Sequence, residues 1–234
     1  MIAAQARIES LLFLRHGEQQ LLSLIIPFAM LIGITKFGMG DRLDPVLVVF
    51  PLCLAISAMS SGFTGQAIAV AFDRRYGALK RIGASGVPPW TIIGGKIAAV
   101  LVVASIQTIL LGVTALILGW HTSPSGLLFG LIILVLGVAT FTSLGLLMGG
   151  SLSSELVLGG ANLAWFILLG VASFALVHSG GDVNPWFNIV PSVALADGLY
   201  SGFQGSFPAI QCLSLIIWLI FGSAAAVRFF RFTS

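Results

Sequence analysis

Long apolar stretches separated by short polar breaks constrain this chain more than any other feature of its sequence. A helix needs about 20 apolar residues to cross the roughly 30 Å hydrocarbon core of a bilayer. The 234 residues are 58% hydrophobic and only 8% charged, so little of the chain is suited to water. No soluble domain of useful size is left over. We therefore expect an all-α integral membrane protein.

The apolar stretches predict six transmembrane helices within a single transmembrane domain, residues 1–234. Their expected bounds are residues 21–35, 46–72, 91–119, 126–149, 155–177 and 208–230. Residues 1–20 mix charged and apolar side chains, which is typical of an N-terminal interfacial helix that leads into the membrane. Trp90 and Trp120 bracket the third span. At 1.5 Å per residue they are about 45 Å apart, so we expect each in an opposite headgroup region.

Small residues recur inside the predicted spans. Gly126 and Gly130, and then Gly145 and Gly149, are spaced four apart in the fourth span. This spacing lets helix backbones approach closely, and packing within the bundle is a simpler interpretation than a subunit interface. The two cysteines, at positions 53 and 212, lie in apolar runs and are interpreted as packing residues. No metal site is expected.

Basic residues are distributed unequally between the two sides of this layout. One side holds nine of the eleven Lys and Arg residues: Arg7, Arg15, Arg74, Arg75, Lys80, Arg81, Lys96, Arg228 and Arg231. The other side holds only Lys36 and Arg42. Because cytoplasmic loops carry the positive residues, we expect both termini and the loop after the second span in the cytoplasm. Residues 178–207 are then external. The net charge of +3 is too small and dispersed to predict a nucleic-acid partner, and membrane lipid is the expected surrounding.

The loop after the second span carries the densest functional pattern. Five positive charges fall within 23 residues, from Arg74 to Lys96. A short amphipathic helix from Asp73 to about Ile82 would begin with an acid at its positive end and finish with basic residues at its negative end. Such a helix can lie on the membrane surface or dock into a partner. The alternative is that these charges only fix topology and contact anionic lipid.

This loop resembles the first cytoplasmic loop of ATP-binding-cassette (ABC) type-2 export permeases. The matching positions are Asp73, Arg74, Gly77, Leu79, Pro88, Gly95 and Lys96, with Asp73 where Glu is commoner and Ala78 where Thr is usual. In that family the loop forms the coupling helix that receives motion from the ATPase subunit. The resemblance therefore implies a set of coupling residues: Asp73, Arg74, Arg75, Tyr76, Gly77, Leu79, Lys80 and Arg81.

A second resemblance lies in the external segment from Asn184 to Pro191. Members of the family carry a partly re-entrant helical segment there, often with Asn where this chain has Val190. Together the two matches imply the transmembrane subunit of an exporter in the bacterial plasma membrane, moving an amphipathic or hydrophobic substrate. They also imply a second permease subunit, either identical or related.

The chain lacks the pattern needed to bind nucleotide. Gly95-Lys96 is followed by Ile97, and no glycine stands at the Walker A distance upstream. The chain is thus not expected to be an enzyme or to hold a cofactor. The resemblance implies that ATP and Mg²⁺ bind to ABC ATPase subunits, which are separate chains.

Polar residues inside the spans are the candidates for a substrate pathway, because an unpaired polar group in hydrocarbon is costly. They are Gln66, Gln107, Thr108, Asn162 and Gln211. Helix-to-helix hydrogen bonding is the alternative role for each. None is ionisable, which disfavours an ion-driven secondary transporter, and a membrane scaffold or assembly subunit is the other alternative. Glu155 follows two serines and is expected in the first turn of a helix.

Overall fold

The structure is a computed structural model that describes residues 17–37, 45–77 and 89–229. All regular elements in these ranges are helical. They are α1 (Gly17–Phe37), α2 (Pro45–Met59), a π-helical segment (Ser60–Gly65), α3 (Gln66–Arg75), α4 (Pro89–Ile117), α5 (Pro124–Ser151), α6 (Ser154–His178), a 3₁₀ turn (Pro185–Ile189), α7 (Pro191–Phe203) and α8 (Ala209–Phe229). The predicted all-helical architecture is confirmed.

Five helices among the described residues are long and apolar enough to cross a membrane. They are Pro45–Arg75, Ile93–Ile117, Pro124–Ser151, Ser154–His178 and Ala209–Phe229. The protein is therefore a multi-pass membrane protein. The first apolar helix counts among the shorter ones, with Ser23–Phe37 as its apolar part, so the sixth span stays a prediction. The interfacial helix predicted for residues 1–20 falls mostly outside the described residues, since α1 begins at Gly17.

The second predicted span is the most deeply buried element of the bundle. Helix α2, the π-helical segment and α3 form one continuous rod, in which almost every residue of α2 is buried. It packs against α1, α4, α5, α6 and α7. Uniform apolar character fits this central position, because a helix that is hydrophobic all round is one enclosed by other helices or lipid. The π-helical segment was not predicted; it widens the helix locally where residues 60–65 pack against α5.

Glycines allow α5 to lie directly against this rod. A β-carbon on Gly145 would overlap the carbonyl oxygen of Phe63, and one on Gly149 would overlap that of Ala67. At the opposite end of α5, Gly126 and Gly130 make room for Phe203. All four glycines face neighbouring helices of the same chain, as the packing interpretation predicts.

The two ends of the bundle differ in character. At the end where α4 finishes and α5 starts, called here the Trp120 end, the ring of Trp120 lies 4.6 Å from that of Phe50 and 5.2 Å from that of Phe203. Trp120 is only 7% exposed, so its side chain is buried by protein at this end of the bundle, and its placement at headgroup depth stays a prediction. The burial results from the turn after α4, where Gly119 takes a φ of 100° and the Trp120 amide donates back to the Ala115 carbonyl. That turn directs the indole inward.

The segment between α6 and α8 enters the bundle instead of lying over it. Helix α7 is buried among α2, α5, α6 and α8, and its C-terminal end lies at the Trp120 end, where Thr122 donates to the Phe203 carbonyl at 2.6 Å. The N-terminal end of α7 lies deeper inside the bundle. The Trp218 indole, nine residues into α8, donates to the Ile189 carbonyl at 2.8 Å. At 1.5 Å per residue this contact lies about 14 Å along α8 from its first residue.

Candidate functional site

The predicted coupling helix does not begin at Asp73. Helix α3 continues from the second span to Arg75, so Asp73 lies in the last turn of a helix and not in the first. Gly77 ends the helix with a φ of 72°, and its amide donates to the Arg74 carbonyl at 3.0 Å. Glycine is favoured at this position because it adopts a positive φ without steric cost. Residues 78–88, which include Leu79, Lys80 and Arg81, lie outside the described residues.

Arg74 is turned into the protein. Its side chain is buried, and Nη1 donates to the carbonyl oxygens of Gly149 at 2.9 Å and Leu152 at 2.8 Å. Both acceptors belong to the C-terminal end of α5, where helix carbonyls lack partners within the helix. A cation here is also favoured by the negative end of the helix dipole. The close approach of α3 and α5 at Gly149 brings the guanidinium within reach.

Asp73 connects α3 to α4. Its Oδ2 lies 3.6 Å from the Nζ of Lys96, a residue two turns into α4 whose side chain is only 2% exposed. A carboxylate at the C-terminal end of α3 is disfavoured by the helix dipole, and the ammonium of Lys96 offsets this. The Asp73 carboxylate in turn compensates the charge of Lys96, which would otherwise be costly to bury.

Arg75 faces the opposite way and connects α3 to α6. Its Nη1 lies 3.3 Å from Glu155 Oε1, and both side chains are largely exposed, at 51% and 71%. Glu155 occupies the first turn of α6 as predicted, with Ser153 as the N-cap residue. An exposed pair of this kind contributes at most about 1 kcal/mol. Arg75 therefore remains available to a partner.

The three consecutive residues 73–75 thus contact three different helices. We call the group of Asp73, Arg74, Arg75, Lys96 and Glu155 the basic junction. It joins the end of α3 to α4, α5 and α6 at the end of the bundle opposite Trp120. Tyr76 follows it, 72% exposed, with its ring stacked 6.0 Å from that of Phe72. A displacement of α3 at this point must move, or break from, three neighbouring helices.

A cavity of about 320 Å³ lies between α1, the second span and α6. Its wall on the second span comes mainly from the π-helical segment. The residues that line it are Ser23, Ile26, Pro27, Ile56, Ser60, Ser61, Thr64, Gly65, Ile68, Asn162, Trp165 and Phe166. A mostly apolar wall with a few polar groups is typical of a small-molecule site.

The predicted pathway residues are not gathered in one place. Asn162 lines the cavity, and its Nδ2 donates to the Leu158 carbonyl of its own helix at 2.8 Å. Gln107 is buried and donates to Ser23 Oγ at 3.3 Å, which ties α4 to α1. Thr108 donates within α4 to the Ala104 carbonyl at 2.7 Å. Gln66 is buried in α3 and does not line the cavity.

Sequence reasoning missed a buried carboxylate in α7. Asp197 is 3% exposed and accepts hydrogen bonds from Asn188 Nδ2 at 2.9 Å, Gln211 Nε2 at 2.6 Å and Ser201 Oγ at 3.4 Å. Gln211, a predicted pathway residue, therefore serves this cluster. The signal was available, because Asp197 interrupts the apolar run Val193–Leu199. An ionisable group is therefore buried inside the bundle, which removes the ground on which an ion-driven secondary transporter was disfavoured.

Comparison with known protein families gives a match. The model of a family described as ABC-2 family transporter protein matches residues 44–229, which include the second span, the basic junction and α7. No curated protein and no solved structure gives a significant match to the chain. The matched region covers well over half of the sequence and extends over the loop on which the resemblance was first seen. The chain belongs to the ABC-2 transporter family.

Proposed function

We propose that this protein is the permease subunit of a bacterial ABC exporter that moves an amphipathic or hydrophobic substrate out through the plasma membrane. Family membership makes it a membrane transport component. A separate ABC ATPase, with ATP and Mg²⁺ bound to it, supplies the energy. A second permease subunit, identical or related, completes the pathway.

The distribution of basic residues supports an orientation. The end of the bundle that holds the basic junction is cytoplasmic, together with both termini, and the Trp120 end is external. With α1 counted as the sixth span, the 3₁₀ turn and α7 form the re-entrant external segment. The Trp218 contact to Ile189 deep along α8 supports this assignment.

The observation that carries the proposal is the basic junction. The exposed side chains of Arg75 and Tyr76, with Leu79, Lys80 and Arg81 beyond them, receive the ATPase. Asp73 and Arg74 act as positioning residues, because their contacts to Lys96 and to the end of α5 are made within the chain. Motion of the ATPase-bound loop is thereby passed to α4, α5 and α6 at once.

An ion-driven secondary transporter is the alternative, and the buried carboxylate of Asp197 is the observation that favours it. Affinity purification from the native membrane separates the two. If the protein is an exporter subunit, we expect an ABC ATPase to copurify with it, and the ATP hydrolysis of that ATPase to respond to the permease in proteoliposomes. Purification without any ABC ATPase, together with ion-driven uptake by the isolated chain, would refute the proposal.

Charge reversal tests the coupling surface. Arg75→Glu is expected to lower ATPase association and transport while the spans stay folded. Arg228→Glu is the matched control, because Arg228 is also exposed near the end of α8 on the same side. The charge swap Arg75→Glu with Glu155→Arg restores the pair within the chain but not a contact with the ATPase. Recovery of transport in the swap would show that Arg75 acts only through Glu155.

A further inference from the structure

Buried polar atoms without partners gather at the π-helical segment, Ser60–Gly65. Thr64 Oγ1 lies inside the segment, and Gln66 Oε1 belongs to the residue directly after it. Thr142 Oγ1 of α5 lies against the segment, because a β-carbon on Gly62 would be 3.2 Å from that oxygen. None of these three atoms has a hydrogen-bond partner among the described residues. Each is costly to bury, so the present conformation of the segment is not fully stabilised by its surroundings.

The composition of the segment permits a change of backbone conformation. Its sequence, Ser-Ser-Gly-Phe-Thr-Gly, contains two glycines and three hydroxyl residues. Glycine and threonine are among the weaker helix formers, and hydroxyl side chains bond to backbone carbonyls nearby, as Ser61 Oγ does to the Ser57 carbonyl at 2.8 Å. Single π turns inside α-helices are rare and frequently occur at functional sites. A change between π- and α-helical hydrogen bonding is therefore less costly here than in a turn of strong helix formers.

A change to α-helical hydrogen bonding would move α3 by one helical position. The π turn holds one residue more than the α turn that it replaces. If the same residues become α-helical while α2 stays in place, α3 turns by about 100° and advances by about 1.5 Å toward its C-terminal end. Each residue of α3 then takes the place now held by the residue after it. Helix α2 is the fixed part, because α1, α4, α5, α6 and α7 enclose it.

The charges of the basic junction distinguish the two registers. Arg74 and Arg75 are about 100° apart around α3, which is also the angle of the register change. Arg74 would leave the carbonyls at the end of α5 and take the place of Arg75 beside Glu155. An arginine thus pairs with Glu155 in both registers, whereas the bonds from Arg74 to α5 exist only in the present one. Asp73 would face the C-terminal end of α5, where a carboxylate is disfavoured, so the present register is the resting one.

We propose that Ser60–Gly65 is a register switch, π-helical at rest and α-helical after α3 has turned by one position and carried Arg74 from the end of α5 to Glu155. The bonds from Arg74 to α5 hold the resting register. In the exporter proposed above, a pull by the ATPase on the loop after α3 favours the second register, because α3 advances in that direction. This coupling role rests on the proposed function, whereas the switch itself does not.

Thiol labelling of the chain in nanodiscs, with N-ethylmaleimide as the reagent and one added cysteine per variant, tests the switch. Ala71 and Val70 are both buried, at 3% and 0% exposure. In the second register Ala71 takes the place of the partly exposed Phe72, while Val70 takes the buried place of Ala71. Ala71→Cys is therefore expected to react faster than Val70→Cys, the matched control. Cys53 and Cys212 are buried and remain, and the chain without an added cysteine gives the background rate.

Two further changes make the labelling specific to the π-helical segment. Arg74→Met removes the bonds that hold the resting register and should accelerate labelling at position 71 by about tenfold or more. Deletion of Ser61 makes the rod α-helical with its present contacts, so labelling at position 71 should become slow and Arg74→Met should no longer accelerate it. Ser61→Ala is the matched control for the deletion, because it removes the hydroxyl that donates to Ser57 and keeps the length, so labelling should stay as in the wild type.

Equal labelling at positions 70 and 71, including no reaction at either, would overturn the proposal. Fast labelling at position 71 that persists after deletion of Ser61, with or without Arg74→Met, would overturn it too, because that result indicates general loosening of the junction. If the deletion variant does not fold, the comparison of Ala71→Cys with Val70→Cys decides alone.

These measurements use the chain without an ATPase, so their failure leaves the exporter function untouched. Conversely, the expected labelling pattern would stand even if no ATPase copurified. With a copurified ATPase, addition of ATP should raise the labelling rate at position 71 and leave that at position 70 unchanged. A rate at position 71 that does not respond to ATP would overturn the coupling role of the switch.

Discussion

Replacement of Arg74 by methionine is the sharpest test of how the basic junction is built. Methionine keeps much of the apolar stem but removes the guanidinium that donates to the carbonyls of Gly149 and Leu152. A hydrogen bond to a charged group contributes about 1.5–3 kcal/mol. Removal of the buried charge returns part of this, because desolvation of the guanidinium no longer opposes folding. We therefore expect a net loss of about 2–4 kcal/mol.

The measurement is the midpoint of thermal unfolding in detergent, monitored by circular dichroism. For a chain of this length about 1 kcal/mol shifts the midpoint by about 2–4 °C, so a decrease of about 4–16 °C is expected. Arg75→Met is the matched control, since the exposed pair with Glu155 should contribute less than about 1 kcal/mol. The unfolding midpoint of Arg74→Lys should lie between those of Arg74→Met and Arg75→Met, because an ammonium cannot reproduce the planar donor geometry of the guanidinium. If Arg74→Met and Arg75→Met unfold at the same temperature, Arg74 does not stabilise the end of α5 and the reasoning is refuted.

Three further predictions concern other parts of the bundle. Gly145→Val should prevent folding and so abolish the yield of monodisperse protein, because the valine side chain would overlap the Phe63 carbonyl. Gly170→Ala is the control and should leave that yield unchanged, because nothing lies within 4 Å of the added β-carbon. Asp197→Leu should destabilise the fold by about 2–6 kcal/mol and so lower the unfolding temperature, since the amides of Asn188 and Gln211 lose their acceptor. An unchanged melting curve would contradict the cluster. Asp73→Asn should lower the unfolding temperature, because it removes the carboxylate that compensates the buried charge of Lys96, and an unchanged melting curve would disprove this arrangement.

Span positions could be predicted because they depend on length and hydropathy alone. The helices α4, α5, α6 and α8 begin and end within two residues of the expected bounds. Hydropathy reports only that a stretch prefers lipid or a protein interior. It therefore could not show that the second span is enclosed by other helices while α8 remains largely exposed.

The basic junction could be predicted only in part. Arg74 and Arg75 are adjacent, chemically identical and about 100° apart around a helix, and only the positions of α5 and α6 decide which one is buried. Gly77 was available as a stop signal for α3, because glycine is enriched just after helix ends. It was instead interpreted as an interior residue of a new helix, which placed Asp73 at the wrong end.

The interior polar groups were hardest to predict. Asp197 lies in a short segment between glycine- and proline-containing stretches, and such a segment is assigned to the surface when only its composition is considered. The contacts of Trp120 with Phe50 and Phe203 were not predicted either, because they depend on the turn at Gly119 that directs the indole inward. Burial of Asp197 depends in the same way on the return of α7 into the bundle.

The π-helical segment has a consequence for how this sequence can vary. A π turn holds one residue more than the α turn that it replaces, so the rod from Pro45 to Arg75 contains a residue that an unbroken α-helix between the same ends would not need. Deletion of one residue within 60–65 would leave α2 and α3 facing their present neighbours. The same deletion in α5 would rotate everything beyond it by about 100°. Natural variants that differ in length by one residue within a span are therefore expected to differ at this segment.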